Sequence, residues 1–418
     1  MIDIKLVREN KETIKELLAK RLCDLSIDEL YDYDLEWKKT QVLEQELRAR
    51  RNTITEDIKV AKSKGQPIEG LLKEAKELPT KIKEAGDKTT EILEKRNYLL
   101  ERLPNLPDKT TPDGPEENFK IVKNWGEKLV FDFKPKLHYE VASTLGILDI
   151  PRAVKISGAG FYIFKKDLAR LERALINFFL DTHKSNGLTE LNMPFMVNQK
   201  TAYGTGNLPK FEQDLYKTTN GFYLIPTAEV PVTNIYAEET LEAKDLPQKF
   251  CAYTPCFRTE AGRHGSETPG IFRLHQFDKV EMVYLCKQEE SWDLHEKMRR
   301  DGEEILEKLG LAYRTKLLAA GDMGIASAKT YDLEVYAPAM DKYLETSSIS
   351  NCTDYQARRM NTKYKEGNET KLVHTLNGSG LATPRLLIAL IETYQTKEGH
   401  IKIPKVLQKY MGGQEIIK

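Results

Sequence analysis

The chain has 418 residues, with 64 Lys+Arg balanced by 64 Asp+Glu, 40% apolar residues and 31% charged ones, which suggests two or three domains at roughly 150 residues per domain. An apolar fraction below the usual ~45–50%, with charge above the usual quarter, calls for one solvent-exposed, charge-laced element beside an ordinary core. There is no apolar run of about 18 residues and no apolar leader in MIDIKLVRENKE, so a soluble cytoplasmic protein is expected, and a net charge of zero argues against a uniformly basic nucleic-acid binder.

Residues 27–103 are rich in Lys, Glu, Leu and Ile, and Leu71, Ala75, Leu78, Ile82, Ala85, Thr89, Ile92, Arg96, Leu99 and Leu103 step by alternating fours and threes. That is the spacing of a coiled-coil seam. Leu47, Ile54, Ile58 and Ala61 keep the same spacing before KSKGQPIEG, whose glycines and proline break the pattern, so two helices are expected to fold back as an antiparallel hairpin. Pro79 interrupts the second helix and predicts a bend there. The same periodicity serves a dimerising coiled coil or a rigid ligand-binding arm.

The proline-rich stretch LPNLPDKTTPDGPEEN reads as a linker. The expected organisation is an N-terminal helical domain over 1–103, a linker over 104–119 and a second domain over 120–418. In that second domain short β-rich runs (GFYIF, GFYLIP, KFCAYTPCF, VEMVYLC, YDLEVYAP) alternate with helical stretches such as DLARLERALINFFLDTHKS and RLLIALIETYQ. The pattern predicts an α+β domain on an antiparallel or mixed sheet.

The phosphate loop GxxxxGK[ST] is absent, and neither GTGNLP nor GAG has dinucleotide-loop spacing, so a nucleotide site must be built from side chains. The five cysteines lack CxxC pairing, and the seven histidines offer no Ser-His-Asp or metal-ligand constellation. The stretch CFRTEAGRHGSETPGIFRLHQFDKVEMV supplies Arg258 and Arg273 as phosphate forks, Glu260 as an acceptor, Phe277 as a flat face for a base, and a polar loop between them. Strand alternation lets Arg273, Phe277 and Glu281 look into one pocket.

Phe257-Arg258-Thr259-Glu260, a loop, and Arg273-xxx-Phe277-xxx-Glu281 together resemble motif 2 of the class II aminoacyl-tRNA synthetases. NGSGLATPRLLIALIE resembles motif 3, a strand leading into a helix, and LTELNMPFMV resembles motif 1, the dimer-interface element. PTAEVPVTN, YLETSSISNCTDYQARRM and the N-terminal hairpin look like the bacterial-type seryl-tRNA synthetases. The resemblance spans essentially the whole chain. It implies a coiled-coil hairpin joined to a class II catalytic domain on an antiparallel sheet, in a homodimer with no membrane association. The implied activity is formation of seryl-adenylate from L-serine and ATP, then transfer of serine to the 3′ end of tRNA(Ser) held by the helical arm, with tRNA(Sec) a further candidate.

Carried over position by position, the resemblance implies L-serine binding by Thr227, Ala228, Glu229, Glu281 and Ser379. It implies ATP binding by Arg258, Thr259, Glu260, Leu274, Phe277, Glu345, Thr346, Ser347, Ser348 and Arg385. Arg258 and Arg385 carry the catalytic charge neutralisation, with Arg385 on the γ-phosphate, and Glu345 and Ser348 are the implied Mg²⁺ ligands. Leu274 stands where valine is common, and Thr346 and Ile349 replace other small residues. Two other functions compete: a synthetase-like ligase that charges a carrier protein, and a catalytically inactive paralogue. The arm, with Arg48, Arg50, Arg51, Lys59, Lys62 and Lys64 on its first helix and Lys73, Lys76, Lys81 and Lys83 on its second, speaks against the former. The presence of Arg258, Glu281, Glu345 and Arg385 together speaks against the latter.

Overall fold

The computed structural model describes residues 1–260 and 270–418, so most of the polar loop after Glu260 lies outside the described residues. The chain divides into two compact units, one of Ile2–Ala19 with Cys23–Leu103, the other of Met1, Lys20–Leu22 and Pro104–Lys418.

In the first unit the sequence forms helices α1 (Ile27–Ser63) and α2 (Glu69–Leu100). Ser26 caps α1 by accepting from the Glu29 N–H, and Asp28 and Glu29 place negative charge at its positive end. Arg50 meets Glu74 at 2.6 Å, Glu36 meets Lys88 at 3.0 Å and Asp34 meets Arg96 at 3.3 Å, so rising numbers on α1 face falling numbers on α2 and the pair is antiparallel. The seam is the expected one: Leu78, Ile82, Ala85, Ile92 and Leu99 are buried from α2, and Ile54 and Ala61 from α1. Each buried Leu or Ile contributes about 1.5–3 kcal/mol. Arg96, the charged member of the seam, lies 4.6 Å over the Trp37 ring and shares the Asp34 carboxylate with Arg8. Pro79 sits exposed inside α2, which continues through it as one helix to Leu100.

In the second unit eight strands form one sheet: β1 (Lys120–Trp125), β2 (Thr189–Leu191), β3 (Gln248–Phe257), β4 (Gln276–Cys286), β5 (Tyr313–Leu317), β6 (Lys329–Ala337), β7 (Lys342–Asn351) and β8 (His374–Ala382). Their spatial order is β1-β5-β6-β7-β8-β4-β3-β2, antiparallel throughout except for the parallel edge pair β2/β3. Along β4, Val280, Met282, Tyr284 and Cys286 point into a core shared with helices α3 (Lys166–Ser185), α4 (Ser291–Leu309) and α5 (Thr383–Tyr394). Strand alternation sends Lys279, Glu281, Val283 and Leu285 to the other face, where Val283 and Leu285 join a second cluster with Ala228, Val232 and Tyr364.

The run GFYIF, expected as a strand, makes only the isolated bridge Leu148↔Phe164. Gly158 and Gly160 hold φ of 91° and 80°, which turns the backbone out of a ladder, and Tyr162 and Phe164 instead pack on the core. GFYLIP contributes just the two-residue strand Tyr223–Leu224. Among the described residues no helix is long and apolar enough to cross a membrane.

Residues 323–327 have no regular structure and are held by two side chains distant in sequence. Arg21, 7% exposed, donates to the carbonyls of Asn105 (2.9 Å), Ser327 (2.6 Å), Met323 (2.8 Å) and Gly324 (2.8 Å). The Asn105 side chain donates to the carbonyls of Ala326 (2.9 Å) and Cys352 (2.8 Å), and its backbone N–H donates to Ile325 (2.7 Å). A buried carbonyl stripped of its donor costs about 1–3 kcal/mol. Arg21→Met is therefore expected to lower stability by about 3 kcal/mol or more in urea denaturation; a drop below about 1 kcal/mol would contradict this account.

Candidate active site

A cavity of about 430 Å³ opens on the sheet face opposite α3, α4 and α5, and the strands' side-chain alternation decides what it contains. Lys279 and Glu281 enter from β4 together with Phe277, and Asn377 and Ser379 enter from β8. Ser379 lies directly across from Glu281 in the ladder. On β7 the register slips between Glu345 and Ser347, so the consecutive residues Glu345 to Ser348 can all line the cavity, which strict alternation would forbid.

One end of the cavity is deep and carries opposite charges at close range. Glu281 is 2% exposed and Lys279 6%, and the Lys279 ammonium lies 2.5 Å from Glu281 Oε2. Ser379 donates to the same oxygen at 3.4 Å. Glu229 takes hydrogen bonds from Gln356 at 2.7 Å and Asn377 at 3.0 Å, and Thr227 lies beside it. Burial pushes the Glu229 carboxyl up to about 7, the charge of Glu281 adds to this, and Lys279 and Arg258 pull the other way. Such an end suits a small zwitterion, since it holds acceptors for an ammonium and short hydroxyls for a third polar group.

The other end is cationic and aromatic. The Arg258 guanidinium lies 5.2 Å from the Phe277 ring centre, and that of Arg385 lies 5.1 Å from Phe272. Arg385 sits in the first turn of α5, where the helix dipole already favours anions, and its charge is offset by the Glu345 carboxylate at 3.0 Å. Glu260 meets Arg273 at 3.5 Å. This grouping suits a polyphosphate with an attached base.

Of the residues anticipated from the sequence, Thr227, Glu229, Arg258, Glu260, Leu274, Phe277, Glu281, Glu345, Thr346, Ser347, Ser348, Ser379 and Arg385 line this cavity together. Ala228 and Thr259 do not. Ala228 is fully buried in the cluster with Val232 and Val283, and Thr259 donates its hydroxyl to the Gln213 carbonyl at 2.8 Å. Lys279, Asn377, Thr205, Asn207 and the wall Gly324–Ser327 line the cavity without having been anticipated. Lys279 follows the same alternation as Phe277 and Glu281, lying between them on one face of a strand. The wall has no periodicity that would mark it. His275 braces the site from outside, stacked 5.2 Å from Phe161 and paired with Tyr216 at 2.9 Å.

Among the described residues no group of three or more His, Cys, Asp and Glu forms a protein-only metal cage. Glu345 and Ser348 nevertheless offer hard oxygens to the cavity, and neighbouring Asp332, 7% exposed, has an Oδ1 without a hydrogen-bond partner. Burial and the charge of Glu345 hold the Asp332 carboxyl well above the usual range. An excess of buried carboxylate beside one carboxylate and one hydroxyl fits Mg²⁺, which commonly takes one or two protein carboxylates and completes its shell with phosphate and water.

On the arm several basic side chains are already engaged: Arg48 with Glu44, Arg50 with Glu74 and Asp57, Lys59 with Glu56, and Lys81 with Glu77. Arg51, Lys62, Lys64, Lys73, Lys76 and Lys83 make no ion pair among the described residues and are spread over both helices between residues 51 and 83.

Two family models match parts of the chain. The family described as seryl-tRNA synthetase N-terminal domain matches residues 1–107, and the tRNA synthetase class II core domain (G, H, P, S and T) matches residues 210–394. The chain is 46% identical to a serine–tRNA ligase of Psychrobacter sp. over 426 aligned positions covering all of both chains. It is 47% identical to that of Staphylococcus haemolyticus, covering 100% of this chain and 99% of the relative. Seryl-tRNA synthetase from Pyrococcus horikoshii, solved with ATP, superposes with a TM-score of 0.91 at 38% identity, covering 100% of this chain and 99% of that one.

Proposed function

This chain belongs to the seryl-tRNA synthetases, class II enzymes that ligate serine to tRNA, and on that premise we propose how its residues divide the work. The observation that carries the reading is the two-ended cavity, with Glu229, Glu281, Thr227 and Ser379 at the deep end and Arg258, Arg385 and Phe277 at the other. L-Serine occupies the deep end, its ammonium on Glu281 and its hydroxyl among Thr227, Ser379 and Glu229. ATP occupies the cationic end with its adenine against Phe277. A serine carboxylate oxygen attacks the α-phosphorus, the bond to the β-phosphate breaks, and seryl-adenylate and pyrophosphate form. Arg258 and Arg385 neutralise the charge that grows on the phosphates, so no protein nucleophile is needed. Glu345 and Ser348 would hold Mg²⁺, which when bound adds charge neutralisation along the phosphates.

In the second half-reaction a terminal ribose hydroxyl of tRNA attacks the adenylate carbonyl, forming the ester and releasing AMP. We assign tRNA(Ser) to the arm, with its unpaired cations between residues 51 and 83 meeting backbone phosphates, and tRNA(Sec) as a second substrate to be tried. The domain boundaries 1–103, 104–119 and 120–418, a homodimer formed through the segment around Pro194, and a cytoplasmic location complete the proposal. A carrier-protein ligase and an inactive paralogue find no support beside an arm matched over residues 1–107 and a filled set of site residues.

Serine-dependent ATP–pyrophosphate exchange followed by charging of total tRNA tests the assignment. A pocket built to hydrogen-bond the serine hydroxyl rejects alanine by leaving polar groups unpaired. Alanine is thus expected to support exchange at least tenfold less efficiently than serine, and a ratio nearer one, under about 1.4 kcal/mol of discrimination, would overturn the pocket assignment.

A further inference from the structure

Lys279 is a buried lysine inside a binding pocket, with a role that no motif accounts for. Its ammonium lies 2.5 Å from Glu281 Oε2, and the Ser379 hydroxyl donates to that same oxygen at 3.4 Å. Glu281 Oε1 has no hydrogen-bond partner among the described residues, although Glu281 lines the cavity and is only 2% exposed. Both donors therefore load one carboxylate oxygen and leave its twin to the pocket. A carboxylate on a rotatable stem would otherwise have two equivalent oxygens and no fixed plane.

We propose that Lys279 is a positioning residue of the serine site: by holding Glu281 through Oε2 it fixes the carboxylate with Oε1 reserved for the substrate's ammonium. The inference rests on the reading of this cavity as the serine site. It also explains why a cation is tolerated where a cationic amine must bind. Lys279 sits on one side of Glu281 and balances a pocket that holds two carboxylates, while the open oxygen keeps its attraction for the incoming group. The ionisable groups around Glu281 are Lys279 on its own strand, Cys256 and Arg258 from β3 and its end, and Glu229 and Cys352 from the far wall. Of these, Lys279 and Arg258 keep Glu229 from rising further above about 7. Removing the lysine ammonium takes away one of the charges that hold the Glu229 carboxyl down, so the pocket keeps that proton to higher pH and loses negative charge near neutrality, which weakens ammonium binding until the pH is raised.

The test is serine-dependent ATP–pyrophosphate exchange by the full chain across pH 6–9, with Lys279→Met, Lys279→Gln and Lys279→Arg. Lys279→Met is expected to raise the serine KM at least tenfold at pH 7 with the ATP KM within about twofold, and to move the pH midpoint of the serine KM up by about a unit. Lys279→Gln, which keeps a donor and loses the charge, carries the same midpoint shift if the Met variant does not fold. Lys279→Arg restores the wild-type midpoint. Unchanged serine KM and midpoint in a folded neutral variant, or serine and ATP KM rising together with a lowered melting temperature, would overturn the proposal. Wild-type enzyme without serine-dependent exchange would instead sink the underlying site assignment, so the two failures are distinct.

Discussion

Glu281→Gln is expected to lower kcat/KM for serine in ATP–pyrophosphate exchange by about 10- to 150-fold, the ~1.5–3 kcal/mol of a missing charge-assisted hydrogen bond, while the ATP KM stays near wild type. Glutamine keeps the volume and one acceptor, so the comparison isolates charge. Glu281→Ala is a harsher change, because beyond the charge that glutamine also removes it takes away the acceptor oxygen, leaving the buried Lys279 ammonium with nothing in place of the oxygen at 2.5 Å. An uncompensated buried charge costs about 3–5 kcal/mol, and the alanine variant should therefore melt earlier as well as lose activity. A folded glutamine variant exchanging at the wild-type rate would remove Glu281 from the substrate's ammonium.

Replacing residues 30–100 by a short flexible linker is expected to abolish tRNA charging and to leave serine-dependent exchange within a few-fold of the full chain. Every cavity residue lies at or beyond Thr205, so the deletion removes none of the residues that line the cavity. What it removes includes the unpaired cations Arg51, Lys62, Lys64, Lys73, Lys76 and Lys83. The salt dependence of tRNA binding should flatten by about one unit of slope for each tRNA phosphate that no longer meets a cation. Charging that survives at full rate across salt concentrations would show that the arm has another purpose, and loss of exchange would show that adenylation depends on it.

The parts of the molecule legible in the sequence are those whose signal is local and periodic. The seam of α2 is readable because each turn repeats the same apolar requirement, and even Arg96 keeps its place, answered by the buried Asp34. Phe277 and Glu281 were readable through strand alternation, and Lys279 obeys the same rule. The residues around Glu345 were readable only as a family pattern, since a register slip on β7 makes neighbours share a face that alternation would separate. GFYIF misled because β-prone side chains were present while two glycines with positive φ set the backbone. Ala228 and Thr259 lie next to cavity-lining residues in the chain, yet one packs into a core and the other satisfies a backbone carbonyl. Charge on the arm was legible as composition but not as availability, because several of the apparent cations are already matched by carboxylates.

Arg21 bears on how such enzymes can be recombined. Its four carbonyl acceptors include two in the cavity wall, at Gly324 and Ser327; the other two are Met323, next to the wall in the chain, and Asn105. A chimera spliced at residue 103, importing a foreign arm as a cassette, would replace position 21 along with it, and a catalytic fragment begun at Pro104 would lack it altogether. The active-site wall is thus inherited in two pieces, with the arm between them in the chain. An arm exchange that keeps position 21 needs two breakpoints, one on each side of the swapped segment and both between residue 22 and residue 104, and a donor joined as a single N-terminal piece has to bring its own arginine.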